Sequence, residues 1–344
     1  MSDKAGVYRM LLESLFLLTL SFQNGTCAAA LEAAPQYACA QGRTGIALAT
    51  TQEGADLLLA RAEAAEPRFR QHFGQDPAPY LVLYFEEDPP RDALYEAGFE
   101  TMLPWPSPVR LGELMTAALR QNALARVEGG GPLSEDAEAT LRLQTAAMLA
   151  LLDEKQGGVV SHELGHIWYT AAFWRDRSAG DGYATPAPDW LDEAAAVLTE
   201  GDELGANRRQ LFAEGWAALT PENLSAHAAI GDLTHFLQRP HPQQTRETPA
   251  NDSTAAGPAR VTVRSGPNDR EAYYNQVRVF ADYLIVRTGD EAIFFDVSRA
   301  LADGMDFEGW LASQTRYPSL PRTVPELQAD WASWIDGGGV RPRT

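Results

Sequence analysis

The chain of 344 residues is long enough for one large domain or two modest domains with a substantial hydrophobic core. Its formal net charge of −19 argues against nucleic acid and anionic membrane surfaces as partners, because both bind basic faces. Arginines do occur between positions 239 and 270, but Pro, Ser, Thr and acidic residues separate them, which is typical of a solvated loop.

The N-terminal segment has the layout of a secretory signal peptide. Lys4 and Arg9 precede an apolar run over 10–22, and small residues follow. A membrane span takes about 20 apolar residues, so this run is too short, and no later segment is apolar enough. We predict a signal peptide over 1–30 and a secreted or periplasmic protein with no membrane span. A glutamate in the run keeps a buried N-terminal helix as the alternative, and the poor lead-in to Cys27 disfavours a lipoprotein.

Two cysteines, Cys27 and Cys39, occur in the chain. Removal of a leader after Cys27 would leave Cys39 unpaired. Retention of Cys27 would allow the two to close one small loop in an oxidising compartment. Their spacing is not that of a zinc-ligand pair, so no metal site is predicted from them.

The first half of the chain predicts a small mixed sheet accompanied by helices. A continuous apolar run over 80–85 that stops at acidic residues and prolines is typical of a buried strand. Residues 102–106, which contain two prolines, are predicted to be irregular, and Gly157 with Gly158 is predicted to break the chain before the next helix. The predicted strands are 45–49 and 80–85, and the predicted helices are 53–73, 111–125 and 137–152.

His162-Glu163-Leu164-Gly165-His166 is an H-E-x-x-H motif among apolar and small residues. Positions i and i+4 lie on one face of a helix, so His162 and His166 can direct two imidazoles at one metal ion. Glu163 lies beside them, within reach of a metal-held water as its general base. Two neutral imidazoles and a carboxylate suit Zn²⁺ with a fourth position open, so the motif predicts a catalytic zinc site that needs a third ligand.

An Ala-rich helical stretch over 189–200 begins Asp-Trp-Leu-Asp-Glu-Ala. His-Glu-Leu-Gly-His followed by Trp-Leu-Asp-Glu-Ala resembles the gluzincin metallopeptidases, especially the peptidase-MA-like and aminopeptidase-N-like groups. The resemblance implies that Glu193 is the third zinc ligand and that Glu200 orients one of the histidines. Ala194 stands where the family usually has Gly, which we interpret as a packing variation.

A third match lies over 273–289, where a Tyr-Tyr pair and a later Tyr-Leu are followed by Gly289. The resemblance to peptidase-MA-like proteins places the tyrosine that faces the zinc at Tyr274. Tyr273 is then expected to pack in the interior, and core packing of both tyrosines is the alternative.

The rest of the second half predicts helices joined by polar segments. Residues 239–269 are predicted to be a flexible loop because Pro, Thr, Ser and Asn dominate them. His227, His235 and His241 lack ligand spacing with another histidine, so none is expected to touch the zinc. The predicted helices are 205–219, 221–237, 294–301, 307–313 and 325–335.

These elements predict an α+β protein, and the resemblance implies a thermolysin-like gluzincin catalytic core. After the signal peptide, a small N-terminal mixed sheet with helices is expected over 31–156. A mostly helical C-terminal subdomain with the two metal-binding helices is expected over 157–337.

The function implied by the resemblance is that of a zinc-dependent metallopeptidase acting on a peptide or protein. Glu163 would be the general base on a zinc-bound water, and Tyr274 would donate to the developing oxyanion. Aminopeptidase-N-like enzymes carry G-x-M-E-N ahead of the zinc helix, and its absence here favours an endopeptidase. The alternatives are a non-catalytic gluzincin-fold envelope or binding protein and a zinc hydrolase of a non-peptide amide or ester.

Overall fold

The chain divides into two compact units in the computed structural model, which describes residues 26–124, 132–174, 186–218, 232–242 and 267–340. One unit comprises Met1–Glu63 and Pro79–Leu149, and the other comprises Ala64–Ala78 and Ala150–Thr344. The sequence predicts a single boundary after residue 156, whereas in the structure the short segment Ala64–Ala78 belongs to the second unit as well.

In the described residues the fold is mixed, with a small four-stranded sheet and a mostly helical remainder. The strands are β1 (Ala38–Gln41), β2 (Gly45–Ala49), β3 (Tyr80–Phe85) and β4 (Met102–Pro106). The helices are α1 (Cys27–Ala33), α2 (Gln52–Phe73), α3 (Arg91–Glu96), α4 (Pro108–Leu124), α5 (Glu135–Phe173), α6 (Asp189–Thr199), α7 (Asp202–Ala217), α8 (Leu233–Gln238), α9 (Pro267–Thr288), α10 (Ile293–Ala302), α11 (Phe307–Ser313) and α12 (Val324–Asp336).

The sheet of the first unit has the strand order β1-β2-β3-β4. β1 and β2 are antiparallel, while β2 with β3 and β3 with β4 are parallel, with Ile46 opposite Leu81. The strands predicted over 45–49 and 80–85 are confirmed. Their continuous apolar runs reflect burial on both faces, which is common for strands in parallel pairs.

Residues 102–106 form β4, so the prediction of an irregular segment is wrong. β4 is an edge strand, where a proline is tolerated if its missing N–H would have pointed away from the sheet. The N–H of Ser107 donates to the carbonyl oxygen of Phe85 over 2.8 Å, so the odd-numbered amides face β3. Pro104 and Pro106 therefore lie at the outward-facing positions.

The segment that begins at Cys27 is built into the first unit. Cys27 and Cys39 form a disulfide, which is the second of the two possibilities that the sequence leaves open. Ala30 of α1 and Leu94 of α3 are fully buried, and both belong to one cluster with aliphatic side chains of β2 and β3. Residues 27–30, which the sequence assigns to a signal peptide, thus contribute to the fold; residues 1–25 lie outside the described part of the chain.

The second unit is helical, and α6 lies in its interior. Every residue of α6 from Trp190 to Thr199 is buried. The indole of Trp190 packs edge-on against Phe280 of α9 and Phe307 of α11, with ring centroids 5.6 and 5.1 Å apart. Because α6 also carries acidic residues, buried carboxylates lie within this aromatic core and need cationic or hydrogen-bonding partners.

Helix α5 continues through Gly157 and Gly158, so the predicted break there is wrong. Each glycine lowers helix stability by about 1 kcal/mol, an amount that packing can offset. A Cβ at position 158 would lie 2.8 Å from Cδ2 of Leu204, so the glycine permits close approach of that side chain of α7.

The remaining predicted helices are confirmed where the structure describes them, and α9 ends before Gly289, which adopts a positive φ of 67°. Most of the predicted loop over 239–269 and part of the helix predicted over 221–237 lie outside the described residues. Within the described ranges, no helix has the length and apolar character to cross a membrane.

Candidate metal centre

The H-E-x-x-H segment of α5 packs directly against the backbone of α6. A Cβ at Gly165 would lie 2.7 Å from the carbonyl oxygen of Ala195 and 2.8 Å from the Cα of Ala196. No such Cβ could be accommodated without moving backbone, so the glycine inside the motif is what allows the two helices to touch. This contact places the imidazoles of α5 against the acidic residues of α6.

The structure brings together the three side chains that the sequence assigns to metal. Nε2 of His162 lies 3.6 Å from Oε2 of Glu193, and Nε2 of His166 lies 3.6 Å from Oε1 of the same carboxylate. One ligand atom from each of the three residues lies within 4.8 Å of the others. Tetrahedral zinc with bonds of about 2.0–2.1 Å separates its ligand atoms by roughly 3.3 Å, so the spacing suits such an ion.

In both imidazoles the Nδ1 atom contacts a carboxylate other than that of Glu193. Nδ1 of His162 lies 2.8 Å from Oε1 of Glu200, and Nδ1 of His166 lies 3.0 Å from Oδ1 of Asp192. When a metal ion is bound, a hydrogen on each Nδ1 would leave the lone pair of Nε2 for the metal. Glu200 therefore occupies the place that the resemblance implies. Asp192 was missed by sequence reasoning, although it directly precedes Glu193.

Arg208 of α7 is a further site residue that the sequence did not indicate. Its Nε lies 2.7 Å from Oε2 of Glu200, and its Nη2 binds Oε1, so the guanidinium grips the carboxylate with two donors. Burial raises the pKa of Glu200, but the charge and hydrogen bonds of Arg208, together with the contact to His162, outweigh burial and lower the pKa. Arg208 thus keeps Glu200 ionised as the acceptor for His162.

His241 is a third site residue, after Asp192 and Arg208, that sequence reasoning did not place at the centre. It lies after α8 with a side chain only 1 % exposed, and its Nε2 lies 3.0 Å from Oε1 of Glu193. The same Nε2 lies 3.2 Å from the hydroxyl of Tyr274. His235 is exposed on α8, and His227 lies outside the described residues.

Of the two tyrosines, Tyr274 is the one beside the paired histidines. Its ring centroid lies 5.4 Å from that of His162, and the guanidinium carbon of Arg208 lies 5.2 Å from its ring centre. Tyr273 is fully buried and packs against Phe236 of α8, as expected for a core residue. Glu163 is half-buried on α5, where its charge helps to raise the pKa of His166.

The charges of the site favour a cation. Burial lowers the pKa of His166, but the carboxylates of Asp192 and Glu193 outweigh it and raise the pKa to about 10. Burial raises the pKa of Glu193, but the surrounding histidines, His166 foremost, together outweigh burial and lower the pKa. The acidic residues around the imidazoles thus carry negative charge that a proton on His166 neutralises in the metal-free protein.

The donor set fits a divalent metal ion. Glu193 is 1 % exposed, and within the part of the chain that the structure describes neither of its carboxylate oxygens accepts a well-directed hydrogen bond. Buried polar atoms normally have a partner, and a metal ion among the three donors would supply it. Two imidazole nitrogens and one carboxylate form a donor set typical of catalytic zinc.

Comparisons of the chain with protein-family models, with curated proteins and with solved structures found no match. The likeness to gluzincins therefore rests on the motif residues themselves.

Proposed function

We propose that this protein is a zinc-dependent metallopeptidase of the gluzincin type with a thermolysin-like catalytic core, acting as an endopeptidase on peptides or proteins. The observation that carries the proposal is the convergence of His162, His166 and Glu193, with each Nδ1 backed by a carboxylate. Structural sites commonly use four protein ligands, whereas three leave a position for water or substrate, as in catalytic zinc sites.

His162, His166 and Glu193 would hold the zinc ion. When bound there, zinc supplies a Lewis acid that polarises the scissile carbonyl and favours deprotonation of the attacking water. Asp192 and Glu200 keep the two imidazoles in the orientation that exposes their Nε2 atoms.

Glu163 and Tyr274 are the proposed catalytic residues. Glu163 follows His162 on α5, is half-buried and keeps access to water, so it can take a proton from the attacking water and pass it to the leaving amine. The hydroxyl of Tyr274, whose ring adjoins His162, would donate to the oxyanion that develops on the substrate. One such donor is worth about 3–4 kcal/mol of transition-state stabilisation.

Hydrolysis of a peptide library by the purified protein, with and without a chelator, tests this function. We expect cleavage that a chelator abolishes and zinc restores. Glu163→Gln should retain stoichiometric zinc while the hydrolysis rate falls by roughly 10²–10⁴-fold, because only the general base is lost. A Glu163→Gln variant that cleaves at the wild-type rate would remove Glu163 from the mechanism. If wild-type protein binds zinc but cleaves only non-peptide amides or esters, the peptidase assignment is wrong and the protein is a zinc hydrolase of those compounds.

The Cys27–Cys39 disulfide supports a secreted or periplasmic location, because disulfides persist in oxidising compartments. A leader peptide, if removed, would then be cleaved before Cys27. Mass spectrometry of the N-terminus of the mature protein tests this, and a mature chain that begins after Cys27 would contradict it.

A further inference from the structure

We propose that His241 is a positioning residue of the metal centre: it holds the Glu193 carboxylate and the Tyr274 hydroxyl in the places that zinc binding and catalysis require. The proposal rests on the proposed function, since it assigns a role within the same centre. It differs from a ligand role, because His241 does not join the three residues whose ligand atoms lie within 4.8 Å of one another.

The main chain at His241 is anchored to the same face of α6 that bears Glu193. The N–H of His241 donates to Oδ2 of Asp189 over 2.7 Å. Asp189 precedes Glu193 by four residues, and side chains at i and i+4 share one face of a helix. His241 therefore contacts two successive turns of α6, one through its main chain and one through its ring.

The segment around His241 is stiff. Pro240 and Pro242 flank the histidine, each with φ fixed near −65°, and the residue before a proline is restricted to extended conformations. In addition, the guanidinium carbon of Arg239 lies 5.6 Å from the ring centre of Tyr273. A buried imidazole on a restrained backbone has few alternative positions, as a residue that positions others must.

Its contacts determine which ring nitrogen bears hydrogen. Nε2 lies 3.0 Å from Oε1 of Glu193 and 3.2 Å from the hydroxyl oxygen of Tyr274. A lone pair on Nε2 would face the lone pairs of a carboxylate oxygen and repel them, so Nε2 carries the hydrogen. The N–H then donates to the hydroxyl oxygen of Tyr274, and the charged oxygen of Glu193 is close enough to be attracted to the same hydrogen.

This arrangement has a consequence for each partner. Glu193 is held against rotation about its terminal bonds before a metal ion binds, so less conformational freedom is lost on binding. Tyr274 accepts from His241 through its oxygen, which turns its O–H hydrogen away from His241. His241 thereby fixes the positions of both the third metal ligand and the oxyanion donor.

The test compares zinc affinity, measured by competition with a chromogenic chelator, among His241→Ala, His241→Gln and the control His235→Ala, which removes an exposed histidine of α8. We expect zinc binding to weaken by about 10-fold or more in His241→Ala, the usual effect of losing a partner of a metal ligand. His241→Gln retains an N–H donor at similar reach and should recover most of the affinity. The control His235→Ala should bind zinc with the affinity of the wild type.

Two further measurements separate positioning from a purely structural role. Tyr274→Phe should lower the hydrolysis rate while zinc affinity stays at the wild-type value, so a change in affinity reports on Glu193 alone. Thermal unfolding of the metal-free variants reports on folding. If His241→Ala lowers only the unfolding temperature and binds zinc as tightly as His235→Ala, the proposal is overturned.

Failure of this inference is distinguishable from failure of the proposed function. Wild-type protein that binds zinc without cleaving peptides, together with weakened zinc binding in His241→Ala, refutes the peptidase and supports the role of His241. Peptide cleavage by wild type, together with unchanged zinc affinity in His241→Ala, supports the peptidase and refutes the role of His241. Wild-type protein that binds no zinc overturns both.

Discussion

The two histidines of the motif are held by different electrostatic arrangements. On the His162 side, Arg208 binds the Glu200 carboxylate that contacts Nδ1, so positive and negative charges are balanced within the protein. On the His166 side, burial lowers the pKa of the imidazole, but Asp192 and Glu193 outweigh it and raise the pKa to about 10.

Two positions that are equivalent in a motif can therefore have different charge environments. The His162 side has its balancing cation with or without metal. The His166 side keeps negative charge that either a proton or a metal ion must neutralise. We therefore expect the two sides to respond differently to mutation and to pH.

Replacing Arg208 by Met should produce the largest loss of stability. Glu200 would remain a buried carboxylate without the guanidinium, and breaking a buried ion pair from one side costs about 3–5 kcal/mol. Urea denaturation of the metal-free protein measures this loss. Arg316→Gln is the control, because Arg316 binds Asp290 and Asp296 at an exposed position and its removal should change stability little. Equal stability of the two variants would show that Glu200 does not depend on Arg208.

Asp192→Asn tests the other side through metal affinity. The amide oxygen can still accept from Nδ1 of His166, but it lacks the charge that favours a cation, so zinc binding should weaken by roughly 10-fold. Chelator competition at neutral pH measures the change. Asp192→Asn should lower the unfolding free energy less than Arg208→Met does. A larger loss in Asp192→Asn would show that the His166 side, and not the His162 side, depends more on its charge partner for stability.

Gly165→Ala tests the helix contact that both sides share. The added methyl group would lie 2.7 Å from a backbone oxygen of α6, so the helices must separate, at a cost of about 1–3 kcal/mol. Gly215 of α7 has nothing within 4 Å of an added Cβ, so Gly215→Ala should instead stabilise by about 0.5–1 kcal/mol. Denaturation midpoints distinguish the two, and stabilisation by both substitutions would rule out the close contact at Gly165.

The metal-free protein should also lose stability as the pH rises. His166 has its pKa raised to about 10 in the folded state from an ordinary 6.5, so its proton stabilises the fold fully below pH 6.5. That contribution declines as the pH rises from 6.5 towards 10. Denaturation series across this range should show the decline, and Asp192→Asn should reduce it. A decline that is unchanged in Asp192→Asn would assign it to another group.

Parts of the fold were predictable because their signals are local. The strand over 80–85 follows from a continuous apolar run, and the helix over 53–73 follows from its periodicity. β4 and the continuity of α5 at Gly158 were predicted wrongly, because proline and glycine signal breaks locally. Their tolerance depends on distant partners, which are β3 for β4 and Leu204 for Gly158.

The pairing of His162 with His166 is predictable from the amino-acid sequence alone, because the two are four positions apart and one helical turn brings them together. Glu193 and Tyr274 were inferred from likeness to a family, and the structure places both beside that pair. The contacts of Arg208 with Glu200 and of His241 with Glu193 become visible only in the folded protein. The reason is physical: spacing along one helix is set by backbone geometry, whereas contacts between separate segments depend on how the helices pack.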